Sequence, residues 1–403
     1  MFATALLAAT ASCDDEPVHF DPFPITMDAT SGAVFVGAQA GDGRIQPVTV
    51  DTMSPLTIVD SYAGGDTLPV ERRLSVQLSL YSAASTVPRI SLPNTEVFDI
   101  HPCDNGGPVT NCSVGMDSDT QVLGGTIGTN VLASQAVRFD FSTSELRFFP
   151  DTAGTDNDRS NLCEAIFDKP FAGGGTLIVS DGEVEYAGNR PAIGACLNDS
   201  DPTAPELEVA ERGTDALLVV STGIGVSIVS QSLYDRYAAQ FGLPLAADLP
   251  DAILHLPSGP VGAKRGEIGH LTLTGDVGDD SQKRGPCREL FASRALADDL
   301  CTSGVVDPCP CPKDANFCRA AAAMLLGEPI EVAVLPDENE LLQSLRVELR
   351  PEFPEVDGVL GASALAATRF ELDYPNLRIM ARCMDETRCA ARPQLLLRSE
   401  LER

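Results

Sequence analysis

Basic residues are scarce in this sequence, and tryptophan is absent. Lys and Arg together number 28 against 58 Asp and Glu, which gives a formal net charge of -30 at pH 7. Nucleic-acid binding needs clustered Lys and Arg to neutralise phosphates, so this composition argues against a nucleic-acid partner. It predicts instead a strongly solvated acidic surface.

Histidine and long apolar runs are also scarce. The four histidines are scattered and suggest no shared site: His19, His101, His255 and His270. Beyond the N-terminal segment, no apolar run approaches the roughly 20 residues that a membrane-spanning helix needs. We therefore expect no metal site, no cofactor and no spanning helix in the body of the chain.

Glycine, proline and cysteine are plentiful. The 34 Gly and 29 Pro residues are typical of many short strands joined by turns. Twelve Cys residues favour an oxidising compartment, where disulfides form and persist. At 403 residues the chain has room for two domains that each bury a core, and we expect a monomer.

The first 13 residues have features of an export signal. Residues 2–11 form an uncharged, mainly apolar run, and Ser12 and Cys13 follow it. This pattern resembles a bacterial lipoprotein signal, which implies that Cys13 is diacylated and becomes the new N-terminus. No basic residue precedes the run and Thr10 stands where Leu is usual, so an ordinary secretory signal is the alternative. We predict an exported cell-envelope lipoprotein that contacts the membrane only through its anchor, with a tether at 14–30.

Two strand-turn-strand stretches of the sequence repeat each other. Residues 48–59 read VTVDTMSPLTIV and residues 218–229 read LVVSTGIGVSIV, and the two align without a gap. In each, an apolar strand enters a hydroxyl-containing turn and a second apolar strand leaves it. Asp51 occupies the position in the first copy that Ser221 occupies in the second.

A second element repeats in the same order. Residues 125–128 (GTIG) precede Asp140 by the same spacing as residues 358–361 (GVLG) precede Asp373. Two repeated elements in one order indicate two homologous lobes. The predicted divisions are lobe one at 31–150, a linker at 151–170, lobe two at 171–392 and a tail at 393–403.

Lobe two carries a predicted cysteine-rich insertion at 275–327. Its five cysteines are Cys287, Cys301, Cys309, Cys311 and Cys318. The Cys309-Pro310-Cys311 step admits a zinc interpretation, but the insertion lacks paired Cys-x-x-Cys units, so disulfides are favoured. Short helices are predicted within it at 288–300 and 319–326.

Two further cysteine pairs bracket short loops. Cys103 and Cys112 enclose a turn-rich stretch that a disulfide could close. Cys383 and Cys389 are predicted to close a small loop near the C-terminus.

Both repeated elements resemble the pepsin and retropepsin superfamily of aspartic peptidases. Residues 51–54 (DTMS) resemble the first catalytic Asp-Thr-Gly turn of that superfamily, and residues 221–223 (STG) resemble the second. Ile127-Gly128 and Leu360-Gly361 resemble the two segments that thread behind these turns. The resemblance implies an all-β, bilobal, pepsin-like double β-barrel with short helices and a cleft between two homologous lobes.

The resemblance assigns Asp51 and Ser221 to the two catalytic positions. Peptide hydrolysis at such a site uses two carboxylates about one water, and like charges that close share a proton. A serine hydroxyl does not ionise near neutral pH, and each missing acid or base role lowers the rate by about 10²–10⁴. The pair is therefore degenerate as a peptidase dyad.

The neighbouring turn residues are assigned in the same way. The resemblance implies that Thr52 and Thr222 hydrogen-bond across the lobes, a structural role that does not depend on catalysis. It places Met53 and Gly223 at the cleft floor. Met53 departs from the superfamily, which has glycine there, and its side chain would project into the floor.

We therefore predict a non-catalytic protein that holds an extended peptide or protein partner in the inter-lobe cleft by β-augmentation. The alternative is an active aspartic endopeptidase with an atypical dyad. Asp60 and Asp215 lie near the turns and would be substitute acids, although both are expected to be exposed strand-end residues. A Ser-His-Asp arrangement around Ser221 also stays open, although the Gly-x-Ser-x-Gly signature is absent there.

Overall fold

The computed structural model describes most of both predicted lobes. The described residues are 23–28, 32–43, 45–59, 72–81, 88, 90–99, 115–116, 125–149, 166–171, 175–179, 184–199, 213–256, 259–275, 287, 320–326, 329–348 and 355–393. The predicted signal with Cys13 lies outside these ranges.

The regular elements are short, and most of them are strands. In chain order the strands are β1 Phe23–Pro24, β2 Thr26–Met27, β3 Val34–Ala40, β4 Gln46–Val50, β5 Ile58–Val59, β6 Arg72–Tyr81, β7 Ile90–Asp99, β8 Gly115–Met116, β9 Gly125–Ile127, β10 Ala136–Asp140, β11 Glu145–Phe149, β12 Ile166–Pro170, β13 Gly175–Val179, β14 Val184–Gly188, β15 Ala192–Asn198, β16 Thr214–Val220, β17 Ser227–Ser230, β18 Asp251–Leu256, β19 Gly259–Ile268, β20 His270–Leu273, β21 Ala320–Leu326, β22 Ile330–Leu335, β23 Gly358–Leu360, β24 Thr368–Asp373, β25 Arg378–Cys383 and β26 Cys389–Pro393. The described helices are α1 Thr129–Leu132, α2 Gln231–Phe241 and α3 Glu340–Glu348, with 3₁₀ turns at Ala246–Asp248 and Ala362–Leu365.

These strands form two large sheets and one separate hairpin. The seven-stranded sheet lies in lobe one and has the order β2-β3-β4-β9-β5-β7-β6, with β6 also pairing to β3. The second sheet contains seventeen strands, and β13 and β14 form the hairpin. The predicted all-β fold class with short helices is confirmed.

The two repeated elements occupy equivalent positions in the two sheets. β4 leads into Asp51 and pairs in parallel with β9, and β5 leaves the turn and pairs antiparallel with the same β9. β16 and β17 flank Ser221 and pair with β23 in the same two ways. Each lobe thus threads one strand between the entering and leaving strands of its turn. This arrangement confirms the predicted pepsin-like bilobal fold.

An antiparallel sheet joins the two lobes through β10 and β24. The hairpins β10–β11 and β24–β25 extend this sheet to β1 on one side and β12 on the other. Arg138 faces Glu371 at the middle of the β10–β24 register, and the two positions are equivalent in the repeat. Arg138 Nε lies 2.6 Å from Glu371 Oε2, with the side chains 10% and 5% exposed. A buried charge needs an opposite partner, so Arg138 and Glu371 favour the pairing of β10 from lobe one with β24 from lobe two.

Helix α2 supports the strand that leaves the second turn. Its N-terminus is capped by Ser230, whose side-chain oxygen accepts a hydrogen bond from the Leu233 N–H at 3.2 Å. Gly242 ends the helix at φ 68°, in the left-handed region that glycine adopts readily. Leu233, Tyr234 and Tyr237 bury one face of the helix. That buried face fixes the helix beside β16 and β17.

The predicted helix at 319–326 is wrong. Ala320–Leu326 is strand β21, which pairs with β20 on one side and β26 on the other. The alanine-rich sequence has good helix propensity, but Met324 and Leu326 are 0% and 3% exposed in the sheet. Pairing along both edges overrides the local preference. The other predicted helix, 288–300, falls outside the described residues.

Strand pairing also extends into the predicted tether and linker. β1 and β2 fall within 14–30, and β1 pairs with β11 while β2 pairs with β3. Phe23 is 0% exposed and belongs to the main apolar core. At the end of the predicted linker, β12 pairs with β25. The lobe boundaries themselves stay predictions.

Two disulfides lie among the described residues. Cys383 pairs with Cys389, as predicted. Cys287, from the predicted insertion, pairs with Cys196 on β15, at a sequence separation of 91. The insertion is therefore tied to a core strand of lobe two. Cys103, Cys112 and the remaining insertion cysteines are not among the described residues.

Candidate functional site

Asp51 and Ser221 meet where the two lobes join. The N–H of Asp51, just after β4, donates to the carbonyl oxygen of Ile127 at 2.9 Å. The N–H of Ser221, just after β16, donates to the carbonyl oxygen of Leu360 at 2.9 Å. These equivalent bonds hold each turn against its threading strand. Between the turns, Ser221 Oγ donates to Asp51 Oδ1 at 2.8 Å.

Thr52 and Thr222 make reciprocal bonds between the lobes. Thr52 Oγ1 donates to the carbonyl oxygen of Val220 at 2.7 Å, and Thr222 Oγ1 donates to that of Val50 at 2.5 Å. The Thr52 N–H also donates to Thr222 Oγ1 at 3.3 Å. Both threonines are 0% exposed. These bonds fix the two turns face to face.

The Asp51 carboxylate is a buried hydrogen-bond acceptor. Asp51 is 7% exposed, and its Oδ1 accepts from the N–H groups of Met53 at 2.9 Å and Gly223 at 3.4 Å. Ser221 is 0% exposed, and its Oγ accepts from the Ile224 N–H at 3.1 Å. The serine hydroxyl is therefore engaged as both donor and acceptor.

Burial raises the pKa of Asp51 above its usual range, because apolar surroundings penalise the charged form. The hydrogen bonds that the carboxylate accepts and the positive charge of Arg190 act in the opposite direction without cancelling this effect. Among the described groups that shift the Asp51 pKa there is no second carboxylate. Asp51 therefore titrates as a single acid in the described part of the site.

The third residue of each turn has a different packing environment. Met53 is 7% exposed and joins an apolar cluster supplied mainly by lobe two, including Leu217 and Ile224. A Cβ added at Gly223 would lie 2.4 Å from the Cβ of Asp51, so no larger residue fits there. The first turn accommodates a side chain by burying it in the opposite lobe, whereas the second turn needs glycine.

Two residues near Asp51 were not predicted from the sequence. Arg190 Nε donates to the Met53 carbonyl oxygen at 2.7 Å, and its charge acts on the Asp51 pKa. Tyr374 is 3% exposed, and burial followed by the charge of Asp51 holds its pKa well above the usual range. Arg190 belongs to no motif. Tyr374 carried a usable signal, because it stands where the repeat has Phe141.

The other predicted site candidates do not join this site in the described structure. Asp215 is exposed and accepts a hydrogen bond from the Cys287 N–H at 2.7 Å. Neither His255 nor His270 hydrogen-bonds to Ser221, and Asp60 lies in a part of the chain that the structure does not describe.

The described ranges contain neither a cluster of metal ligands nor a membrane-spanning helix. Within them, no group of three or more His, Cys, Asp or Glu side chains could hold a metal ion. Within the same residues, no helix is long and apolar enough to cross a membrane.

No family model and no curated protein matches the chain. Among solved structures, the chain is similar to the aspartic proteinase from Irpex lacteus, with a TM-score of 0.36 and 12% identity over 90% of this chain and 97% of that one. Basic 7S globulin from soybean gives a TM-score of 0.42 and 12% identity over 91% and 96%. Conglutin gamma, a basic 7S globulin from lupine seeds, gives 0.42 and 11% over 91% and 95%.

Proposed function

We propose that this chain binds an extended peptide segment between its two lobes without hydrolysing it. The observation that carries the proposal is the 2.8 Å hydrogen bond from Ser221 Oγ to Asp51 Oδ1. A hydroxyl stands where hydrolysis at such a turn pair needs a second carboxyl. Since a serine hydroxyl does not ionise near neutral pH, the acid and base roles cannot be divided between the two turns.

Ser221 does not supply the missing chemistry as a nucleophile. Its side chain is 0% exposed, so a scissile carbonyl has no access to Oγ. Its hydroxyl already donates to Asp51 and accepts from the Ile224 N–H. An activated serine needs a base aligned with an accessible hydroxyl, and here the arrangement is buried and structural.

What the site retains is the framework that joins the lobes. The reciprocal bonds of Thr52 and Thr222 and the paired strands β10 and β24 support two facing turns. A peptide between such lobes is held by main-chain hydrogen bonds, which do not depend on a catalytic dyad. We also propose that the protein is exported and anchored through a lipidated Cys13.

A peptidase assay tests the absence of hydrolysis. Purified wild-type protein and Asp51→Asn are incubated from pH 3 to pH 7 with a mixture of denatured proteins, and products are identified by mass spectrometry. We expect no cleavage above the level of the variant. Cleavage at pH 3 to 5 that is lost in Asp51→Asn would support the alternative, an acid endopeptidase with an atypical dyad, for which the raised Asp51 pKa is the favourable observation.

Photo-crosslinking tests the binding site. Decapeptides that carry a benzophenone at each position in turn are crosslinked to the protein, and the modified residues are mapped. We expect adducts near both turns, in 51–56 and in 221–226. Adducts confined to one lobe, or distant from both turns, would contradict binding between the lobes.

A further inference from the structure

A cavity of about 540 Å³ lies beside the first turn. Its walls come from β7, from α1 with the turn after it, and from the segment before β15. The Thr129 N–H donates to the Ser54 carbonyl oxygen at 2.8 Å, and Arg190, next to Asn189 in the wall, donates to the Met53 carbonyl oxygen. The cavity therefore borders the residues that follow Asp51, and its volume is in the range of ligand pockets.

The lining of this cavity is polar but uncharged. The polar side chains include Asn94, Thr95, Asn130, Ser134, Gln135 and Asn189. None of the described lining residues is charged, although the chain has a net charge of -30. An ionic ligand group would lose its hydration here without gaining a counter-ion. A neutral group that both donates and accepts hydrogen bonds fits the lining.

Gln135 places a carboxamide at the cavity surface with no protein partner among the described residues. Gln135 is 7% exposed, and its carboxamide makes no hydrogen bond to any residue in the described ranges. The carboxamides of Asn94 and Asn189, on two other walls, likewise have no hydrogen bond within those ranges. The carboxamide of Gln135 is accessible at the cavity surface, so a ligand group that pairs with it exchanges bonds to water for bonds to the protein, with a modest net gain.

We propose that this cavity selects an Asn or Gln side chain of the peptide that occupies the cleft. A carboxamide offers two donors and one acceptor, so two carboxamides can pair through two hydrogen bonds. The apolar wall residues Leu92 and Val131 would contact the methylene groups of such a side chain. This assignment rests on the proposed peptide-binding function and names the residue type that the site selects.

A positional-scanning library of immobilised, acetylated and amidated decapeptides tests the assignment. Wild-type protein should prefer Asn or Gln over Leu and Glu at one position, by about two- to tenfold, the effect of one or two neutral hydrogen bonds. Gln135→Glu and Asn189→Asp preserve shape and add a charge. In both variants the preference at that position should move to Lys and Arg, because charge-assisted hydrogen bonds are stronger.

A matched control and a second variant keep the test decisive. Gln77→Glu makes the same charge change on β6 at an exposed position outside the cavity, and it should leave the preference unchanged. If Gln135→Glu fails to fold, Asn94→Asp takes its place. Asn94 is exposed at φ 53°, where Asp is also tolerated.

The outcomes separate the two proposals. Peptide binding with the same preference in wild type and in the folded cavity variants would overturn the cavity assignment and leave cleft binding intact. A wild-type preference for charged or apolar residues at every position would also overturn the assignment alone. Failure of every pool to bind would overturn both.

Discussion

Replacing Ser221 with aspartate should create the proton-sharing pair that the described site lacks. Because Ser221 Oγ lies 2.8 Å from Asp51 Oδ1, the new carboxyl would face the existing one. Two unit charges about 4 Å apart repel by about 4 kcal/mol at an effective dielectric constant of 20. That energy corresponds to about three pKa units. One carboxyl of the pair should therefore keep its proton near neutral pH.

The stability of the variant should depend on pH in a predictable direction. Both carboxyls would have raised pKa values in the folded state, so their destabilising effect is absent below the pKa of an unfolded aspartate and grows as the pH rises. Asparagine has nearly the same volume as aspartate but carries no charge, so Ser221→Asn serves as the control. We expect the free energies of unfolding of the two variants to converge at pH 3 and to differ by about 4 kcal/mol at pH 7.

Urea denaturation of both variants across this pH range measures the difference. A difference that stays flat with pH would show that the two side chains do not face each other, and the site would have to be abandoned as a dyad position.

Combining Ser221→Asp with Met53→Gly should give more peptidase activity than the two single variants predict, because the groups act as a unit. The Met53 truncation also removes a buried side chain, which lowers stability by about 2–5 kcal/mol.

Three further predictions concern charge, the lobe junction and the anchor. Asp51→Asn should raise the thermal midpoint of unfolding at pH 7 and change it little at pH 3. Burial raises the pKa of Asp51 in the folded state, and the variant removes the charge whose desolvation is unfavourable. A shift in the midpoint that does not depend on pH would refute this. Arg138→Met should lower the free energy of unfolding by about 3–5 kcal/mol, because it leaves the Glu371 charge buried without its partner. Adding Glu371→Leu should recover part of this loss. Additive losses in a double-mutant cycle would contradict a direct interaction between the two side chains. Intact mass of protein from its native membrane should show cleavage before Cys13 with added diacylglycerol, and a soluble form beginning elsewhere would exclude the anchor.

The sequence predicted the elements that depend on local pattern and on the repeat. The apolar segments on both sides of the first turn indicated strands close to β4 and β5, and the gapless alignment implied that Asp51 and Ser221 occupy equivalent turns. A two-fold relation brings together only points near its axis, so the facing of the turns was implied by the resemblance, in which Thr52 and Thr222 hydrogen-bond across the lobes. The reciprocal bonds of Thr52 and Thr222 in the structure agree with that implication.

Features that depend on contacts between distant segments were beyond the sequence. Strand β21 reads as a helix until its pairing with β20 and β26 is known, and Cys196 is one of many cysteines that could have paired with Cys287. Arg190 reaches the first turn from a segment with no motif, so only the fold reveals it. The carboxamide-lined cavity joins three such segments, and no local pattern marks a site of that kind.

The differences between the two lobes are concentrated where the lobes touch. At the turns, an acid in one lobe meets a hydroxyl in the other, and the contact is a 2.8 Å hydrogen bond. At the bridging sheet, Arg138 meets Glu371 at equivalent positions. Two like charges at either place would repel, and two acids would hold together only by sharing a proton. In both places the difference between the lobes replaces a repulsion between like charges with an attraction, so both pairs favour the junction between the lobes.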